Sequence, residues 1–558
     1  RLELQKDGDD DAKEGNDTSA ELFRRIDETY YDSIVRIIAQ ETEYDYEYPF
    51  KIKGDSESSG TGFFIDDKGH VLTCSHVVEN ASQVYIEIPT RGKTRYEAVT
   101  LGVCPFFDLA LIRVKAREED KEEWYCSPHV CDLYNGEYNR EGTEWVRPGD
   151  ETYALGFPLG QSNLKVTKGI ISGQQFKTYQ VDTPINPGNS GGPLIKDKRV
   201  IGVNSAGIML SNNIGYAVPI ERFYLIKKLL YEPTKNKIIH YPEVFGFEFQ
   251  RTSVDFHYYF GLKSGVGSAS SAKIPRGGVY IKRVFKNSPV QIGTKMKAGD
   301  ILFSMNGINI DQYGEFDKRW MNQKMTFQNI LSTMQLGKHV EIEYWNGRRV
   351  VKDSFPLRQY KMPIRMRFPL FEDISYAVVA GLVIMPATLN HLKYGGVYNM
   401  RSRKYKRTEN RHEERLIIPT ILSGSYISEQ KIIKPNEIIK EVNGRRTLTI
   451  DQFRKNITMF KEGRYDTKKN KYITILTEEK NFMILPVQTV INQEPTLQRD
   501  YKYKEDPCMK QIRSLCTARR LSRRKTSAAT VSKRPSRRRT SAAPASNRPS
   551  RRRTSARS

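Results

Sequence analysis

Three short segments carry residue types that together could run acyl transfer. Thr73-Cys74-Ser75-His76-Val77-Val78 offers an imidazole after an apolar strand, and Asp108-Leu109-Ala110-Leu111-Ile112 offers a carboxylate at the head of another. Gly188-Asn189-Ser190-Gly191-Gly192-Pro193-Leu194 offers a hydroxyl in a glycine-flanked turn. A serine hydroxyl is a poor nucleophile until a neighbouring imidazole can take its proton. Ser190 is therefore read as the nucleophile and His76 as general base, then as acid to the leaving amine. Asp108 would hold the imidazole in the right tautomer and stabilise its cation. Glycines around the serine let the N–H groups of Gly188 and Ser190 point at one spot, an oxyanion hole, where one donor contributes about 3–4 kcal/mol to the transition state. Singly, each segment is weak, because a histidine after a strand usually packs and an aspartate in a turn usually caps. Their joint occurrence on strand-like flanks points to catalysis.

The chain order His, Asp, Ser is that of chymotrypsin-like proteases; nucleophile-elbow hydrolases run Ser, Asp, His and subtilisin-like enzymes Asp, His, Ser. Further motifs surround the three segments: Ser59-Gly60-Thr61-Gly62-Phe63-Phe64-Ile65, Gly69-His70-Val71-Leu72-Thr73, Ala154-Leu155-Gly156-Phe157-Pro158-Leu159-Gly160 and Val166-Thr167-Lys168-Gly169-Ile170-Ile171-Ser172. With Ile185-Asn186-Pro187 and Gly215-Tyr216-Ala217-Val218-Pro219-Ile220, they resemble the Deg/HtrA proteases over roughly residues 30–230, and more loosely to about 490. That resemblance implies an ATP-independent serine endopeptidase acting on misfolded or unstructured proteins, with no cofactor and no metal. It places the walls of the specificity pocket at Ile185 and Ala206-Gly207-Ile208, where no acidic residue would pair with a substrate Lys or Arg. Cleavage after aliphatic residues is expected. It also implies a trimer-based homo-oligomer, with Phe23, Tyr30 and Tyr31 ahead of the barrel as candidate contacts. Cys74 departs from the Ala or Asn usual in the family and is small and neutral enough to leave catalysis intact.

The elements that must position these residues read as mainly β. From Ser59 to Ala217, short runs of Val, Ile, Tyr and Phe alternate with Gly, Asn and Pro turns, the pattern of a double β-barrel. Glu21–Ala39 reads as a helix passing into a first strand, residues 115–149 as a charged surface insertion, and Glu221–Tyr231 as a closing helix stopped by Pro233. Two strand-rich segments follow. In the first, Phe245-Gly246-Phe247-Glu248-Phe249 resembles the carboxylate-binding loop of a PDZ domain, whose backbone N–H groups hold a peptide C-terminus while the peptide adds a strand to the sheet edge. In the second, Ala380-Gly381-Leu382-Val383-Ile384 could be the same loop, and Ile433 to Gly444 repeats the later strand and turn. The predicted organisation is an acidic leader (1–20), a trypsin-like protease domain (21–238), a PDZ domain (239–360), a divergent PDZ-like domain (361–497) and a basic tail (498–558).

The chain has 558 residues and a net charge of +25. Fifteen of those positive charges lie in residues 518–558, which hold no acidic residue and repeat Arg-Arg-(Arg/Lys)-Thr-Ser-Ala every fourteen positions. Nothing in that segment could build a core. Its candidate partner is nucleic acid, through phosphate neutralisation. Six cysteines are too few for a dense disulfide framework, and Cys126, Cys131 and His129 fall short of a structural zinc set. Reduced thiols suggest a reducing intracellular compartment, with nucleus or virion as candidates. No apolar run is long enough to span a bilayer. Two readings from other classes stand beside the protease: a PDZ-mediated chaperone or scaffold with a latent site, and a basic nucleic-acid-associated protein.

Overall fold

The computed structural model describes residues 30–119, 122–135, 146–207, 214–232, 237–259, 277–316, 324–394, 402–462 and 470–516. The acidic leader, Phe23, Ile208 and the basic repeats lie outside these residues. Two β-barrels form the N-terminal half. The first contains β1 (Ile34–Tyr44), β2 (Ile52–Phe64), β3 (His70–Thr73), β4 (Ala81–Glu87), β5 (Arg95–Cys104) and β6 (Leu109–Val114), and pairing of β5 with β6 closes it. The second contains β7 (Glu151–Gly156), β8 (Lys165–Gln175), β9 (Thr178–Val181), β10 (Pro193–Lys196), β11 (Arg199–Gly207) and β12 (Gly215–Pro219), closed between β10 and β7. Closure removes the free edges of these strands. It also buries Phe63, Phe64, Leu72, Leu111, Leu155, Leu194 and Val203 completely.

Two sequence expectations about this half are corrected. Residues 34–39 belong to β1, not to a helix: Ile34, Val35, Ile37, Ile38 and Ala39 all reach the core, and Ile and Val favour strands. Tyr30 is 3% exposed and its hydroxyl donates to the Lys198 carbonyl of the second barrel, so it packs on its own chain and is not an outward assembly contact. The stretch after β6 is largely exposed where it is described, as expected of a surface insertion, and it is anchored at two points. Cys131 N–H donates to Phe64 O and Tyr134 N–H to Val200 O, so this segment is tied to both barrels, with Cys131 and Tyr134 buried.

The helix Glu221–Leu230 closes the barrels by burying Phe223, Ile226 and Leu230. Beyond it, His70 and Tyr231 both bond to Asp66, at 2.8 and 3.0 Å, fastening the helix end to the first barrel.

Two αβ units follow, built on one plan. Strands Phe247–Arg251, Val279–Val284, Ile301–Met305, His339–Trp345 and Val350–Pro356 form the first sheet. Leu382–Pro386, Leu416–Ile418, Glu437–Val442, Lys471–Thr477 and Phe482–Pro486 are their counterparts in the second. The match extends to individual residues. Gly246 (φ +101°) and Gly381 (φ +84°) each lie so close to a serine, Ser288 or Ser425, that an added Cβ would come within 2.2 Å of it. Each of those serines caps a short helix. Asn306 and Asn443 both take positive φ ahead of Gly307 and Gly444.

The tail boundary expected at residue 498 moves. The helix Val487–Tyr501 and the helical residues 507–516 belong to the second unit, where Cys508, Met509 and Ile512 join its core. The β1–β2 connection reaches the same unit. Tyr46 packs with Met385 and Ala387, and Phe50 lies 5.6 Å from the Tyr503 ring.

Candidate catalytic site

His76 sits in a single helical turn, Ser75–Val78, entered directly from β3. Asp108 ends the turn joining β5 to β6, where Phe107 N–H donates to Cys104 O and Asp108 N–H to Pro105 O. Its φ of +57° is a conformation aspartate tolerates better than most residues. There the carboxylate meets His76: Nδ1 lies 2.9 Å from both Oδ1 and Oδ2, and the His76 backbone N–H donates to Oδ1 at 3.1 Å. A third donor completes the shell, since Ser205 Oγ donates to Asp108 Oδ2 at 2.5 Å.

The electrostatics follow from these contacts. Burial works to raise the Asp108 pKa, but the His76 and Ser205 hydrogen bonds and the imidazole charge outweigh it, holding the carboxyl below its ordinary range. Burial works to lower the His76 pKa, and the bond and charge of Asp108, with Glu79 and Glu41, outweigh that too. The imidazole stays above its usual 6.5.

Ser190 lies in the loop before β10, and two glycines there have no substitute. Gly188 takes φ +99° with Phe157 O at 2.3 Å from where a Cβ would sit, and Gly191 takes φ +88° with Thr61 O at 2.1 Å. Thr61, on β2 of the other barrel, grips this loop. Its N–H donates to Ser190 O at 2.9 Å, its hydroxyl donates to Gly188 O at 2.6 Å, and it accepts from Phe157 N–H. Among the described residues, the N–H groups of Gly188 and Ser190 donate to no backbone carbonyl, which leaves both available to an incoming oxygen. The Ser190 hydroxyl itself donates to the Ser205 carbonyl at 2.6 Å.

The structure thus brings His76, Asp108 and Ser190 to the junction of the barrels. Thr61 and Ser205 were not assigned roles by sequence reasoning. Thr61 stands inside the run Ser59–Ile65 and Ser205 directly precedes Ala206-Gly207, yet only the fold reveals their bonds. Cys74 is fully buried behind the site, its Sγ 3.1 Å from the Asn204 carbonyl. Of the pocket residues, Gly207 pairs with Gly215 across β11–β12, and a Cβ on Gly215 would lie 2.9 Å from Ile185 Cδ1. Ile185 therefore covers the strand pair carrying Ala206 and Gly207.

In the first αβ unit, Phe245, Gly246 and Phe247 form the turn into the sheet-edge strand Phe247–Arg251, and Gly246 O accepts from Phe285 N–H. Phe247 and Phe249 meet Phe327 of the helix Phe327–Leu331 edge to face, with ring centroids 5.5 and 5.0 Å apart, giving the slot beside the edge an aromatic lining. The second unit differs. Its corresponding strand, Leu382–Pro386, is already paired with Ala377–Val379 in an antiparallel hairpin, so the chain itself occupies the edge a peptide would join.

Comparison with known proteins places these features. Residues 60–203 match the model of the trypsin-like peptidase domain, and residues 370–507 match the PDZ domain. The chain is 25% identical to "Putative protease Do-like 3, mitochondrial" of Arabidopsis thaliana, over 83% of this chain and 78% of that protein. It is 26% identical to "Protease Do-like 2, chloroplastic" of the same plant, over 74% and 66%. It is 30% identical to "Probable periplasmic serine endoprotease DegP-like" of Pseudomonas putida, over 45% and 48%, and so spans about half of that relative's length. A solved structure, "HtrA-type protease AlgW with decapeptide", aligns over 61% of this chain and 99% of that one at 20% identity and a TM-score of 0.42.

These relatives overturn the expected compartment. Those whose names state a location are mitochondrial, chloroplastic or periplasmic, not cytosolic, nuclear or viral. Cysteine usage misled for a physical reason. Cys74, Cys104, Cys131 and Cys508 are unpaired and buried, so they serve as small apolar core residues and carry no message about redox environment. Among the described residues no helix is long and apolar enough to cross a membrane.

Proposed function

Because this chain is a serine endopeptidase of the Deg/HtrA family, with a trypsin-like peptidase domain followed by a PDZ domain, we propose that His76, Asp108 and Ser190 are its catalytic triad. The observation that carries this is the Nδ1–carboxylate pair at 2.9 Å beside a glycine-flanked serine. Asp108 holds the Nδ1–H tautomer, which leaves Nε2 as the base. Ser190 Oγ, released from Ser205 O by a side-chain rotation, gives its proton to Nε2 and attacks the scissile carbonyl. The oxyanion takes the N–H groups of Gly188 and Ser190, and the imidazolium then protonates the leaving amine.

We further propose that the substrates are unstructured or misfolded polypeptides, cut without ATP after aliphatic residues. Ile185, Ala206, Gly207 and Ile208 would form an apolar pocket without a counter-charge. Phe245, Gly246 and Phe247 would take a peptide C-terminus. The domain limits predicted from sequence are retained as a proposal, with the end of the second PDZ unit moved to residue 516, and assembly as a trimer-based homo-oligomer is part of the same reading. Incubation with unfolded casein in the absence of ATP, wild type against Ser190→Ala, tests the catalytic assignment.

The bond from Ser190 to Ser205 favours a second reading, a latent protease whose PDZ units act as chaperone or scaffold until the serine is turned. Suppression of client aggregation by Ser190→Ala, combined with slow casein cleavage by wild type, would support it.

A further inference from the structure

Cys74, which proteolysis does not use, completes a donor set with two members of the proposed triad. Cys74 Sγ, a ring nitrogen of His76 and a carboxylate oxygen of Asp108 all lie within 4.8 Å of one another. They join a soft thiol, an imidazole and a carboxylate, the three side-chain types that bind zinc, whose bonds run about 2.0–2.3 Å. Donors around one such ion stand roughly 3–4 Å apart, so the present spacing needs only a small contraction. The fold already holds the members in place. Cys74 is wholly buried between β3 and the His76 turn, and Asp108 is held from its far side by Ser205. The His76 side chain is 43% exposed, which opens a way in from solvent.

We infer that this triad is also a reversible inhibitory site for a thiophilic divalent cation, with Cys74, His76 and Asp108 as ligands and solvent in the fourth position. Charge balances: one thiolate and one carboxylate neutralise a dication, so no net charge is left in the buried site. Protons balance as well. The thiol proton goes to solvent, and the proton on Nδ1 is exchanged so that the ring carries it on Nε2. Nε2–H cannot accept the Ser190 proton, and the carboxylate that oriented the ring is now a metal ligand. Inhibition thus comes from a forced tautomer, not from a blocked cleft, and it depends on Cys74. The mechanism rests on the triad reading above, but the binding does not.

Binding is therefore read on protein carrying Ser190→Ala and Cys126→Ser, which removes both self-cleavage and the exposed thiol. Calorimetry with Zn2+ in two buffers of different ionisation enthalpy should show one site releasing at least one proton. Co2+ in its place should give a thiolate-to-metal charge-transfer band. Adding Cys74→Ala or Cys74→Ser should weaken binding by more than the roughly 10–100-fold that an outer-shell change costs. In Ser190-containing protein, Zn2+ should inhibit casein cleavage reversibly with EDTA, and each Cys74 variant, scored against its own metal-free rate, should resist. Unchanged affinity in both Cys74 variants, or absence of the cobalt band, overturns the site. Zinc binding by the Ser190→Ala protein together with no casein cleavage by wild type would leave the site standing and remove the protease mechanism instead.

Discussion

Ser190 donates its hydroxyl to the carbonyl of Ser205, 2.6 Å away, while the hydroxyl of Ser205 donates to Asp108. One residue therefore holds both the proposed nucleophile and the carboxylate proposed to orient the base. On the proposed mechanism, turnover requires the Ser190 side chain to rotate toward His76.

Loss of the nucleophile is the sharpest test. Ser190→Ala should cut casein turnover by about 10⁶-fold, and His76→Ala by a similar factor, because triad members act as a unit. Near-ultraviolet circular dichroism should stay at wild type, and equal cleavage by the mutant would sink the assignment.

Activity should rise with pH through the ionisation of His76. General-base attack needs the neutral ring, and Asp108 holds the cation stable, so half-maximal kcat/KM is expected above pH 6.5. Replacing Asp108 by Asn removes both the charge and the tautomer control. A pH profile whose acid limb lies below 6.5 in the wild type would contradict the coupling.

Cleavage sites should follow Val, Leu, Ile or Met and not Lys or Arg. A substrate ammonium enclosed by Ile185 and the β11–β12 pair would be desolvated without a partner, which costs several kcal/mol. Mass spectrometry of casein fragments decides this, and predominant cutting after basic residues refutes the pocket.

Asp66 gives the fold an acid-sensitive clamp. Burial pushes its pKa up, but the His70 and Tyr231 bonds prevail and bring it down to about 2, against 3.8 for a free carboxyl. A depressed carboxyl stabilises the fold above its unfolded pKa, and the contribution disappears as pH falls from about 4 toward 2. Asp66→Asn should cost about 1–2 kcal/mol at neutral pH and flatten that part of the acid-denaturation curve.

The end of the second PDZ unit predicts how truncations behave. A stop after residue 516 should leave casein cleavage and thermal stability unchanged, and should abolish salt-sensitive retention on DNA if the basic repeats hold phosphates. A stop after residue 497 removes Cys508, Met509 and Ile512 from a closed core and should lower the melting temperature. Met509→Ala alone should cost about 2–5 kcal/mol by leaving a cavity. If both truncations melt alike, the terminal helix is not part of the unit.

What was legible in the sequence is the class of enzyme and the order of parts. Ser, His and Asp with flanking glycines are readable because acyl transfer demands those groups and because positions such as 188 and 191 tolerate nothing larger, a constraint visible as Gly-x-Ser-Gly-Gly. Short runs of Val, Ile, Tyr and Phe separated by Gly, Asn and Pro turns marked the barrels, since strand-forming and turn residues are local signals. Contacts between distant segments have no such local signature. That Thr61 of one barrel holds the serine loop of the other, 127 residues away, depends on how two closed sheets meet. That Ala377–Val379 fills the edge of Leu382–Pro386 is a matter of hairpin pairing, and an unpaired strand would read the same in sequence. Residues 34–39 became strand because their Ile and Val side chains favour a strand and fill the barrel core. Cys74 looked like a neutral substitution beside the histidine. Only tertiary structure laid its sulfur against the Asn204 carbonyl and within 4.8 Å of an Asp108 carboxylate oxygen, because β3 and β6 pair so that Thr73 and Ala110 stand opposite each other.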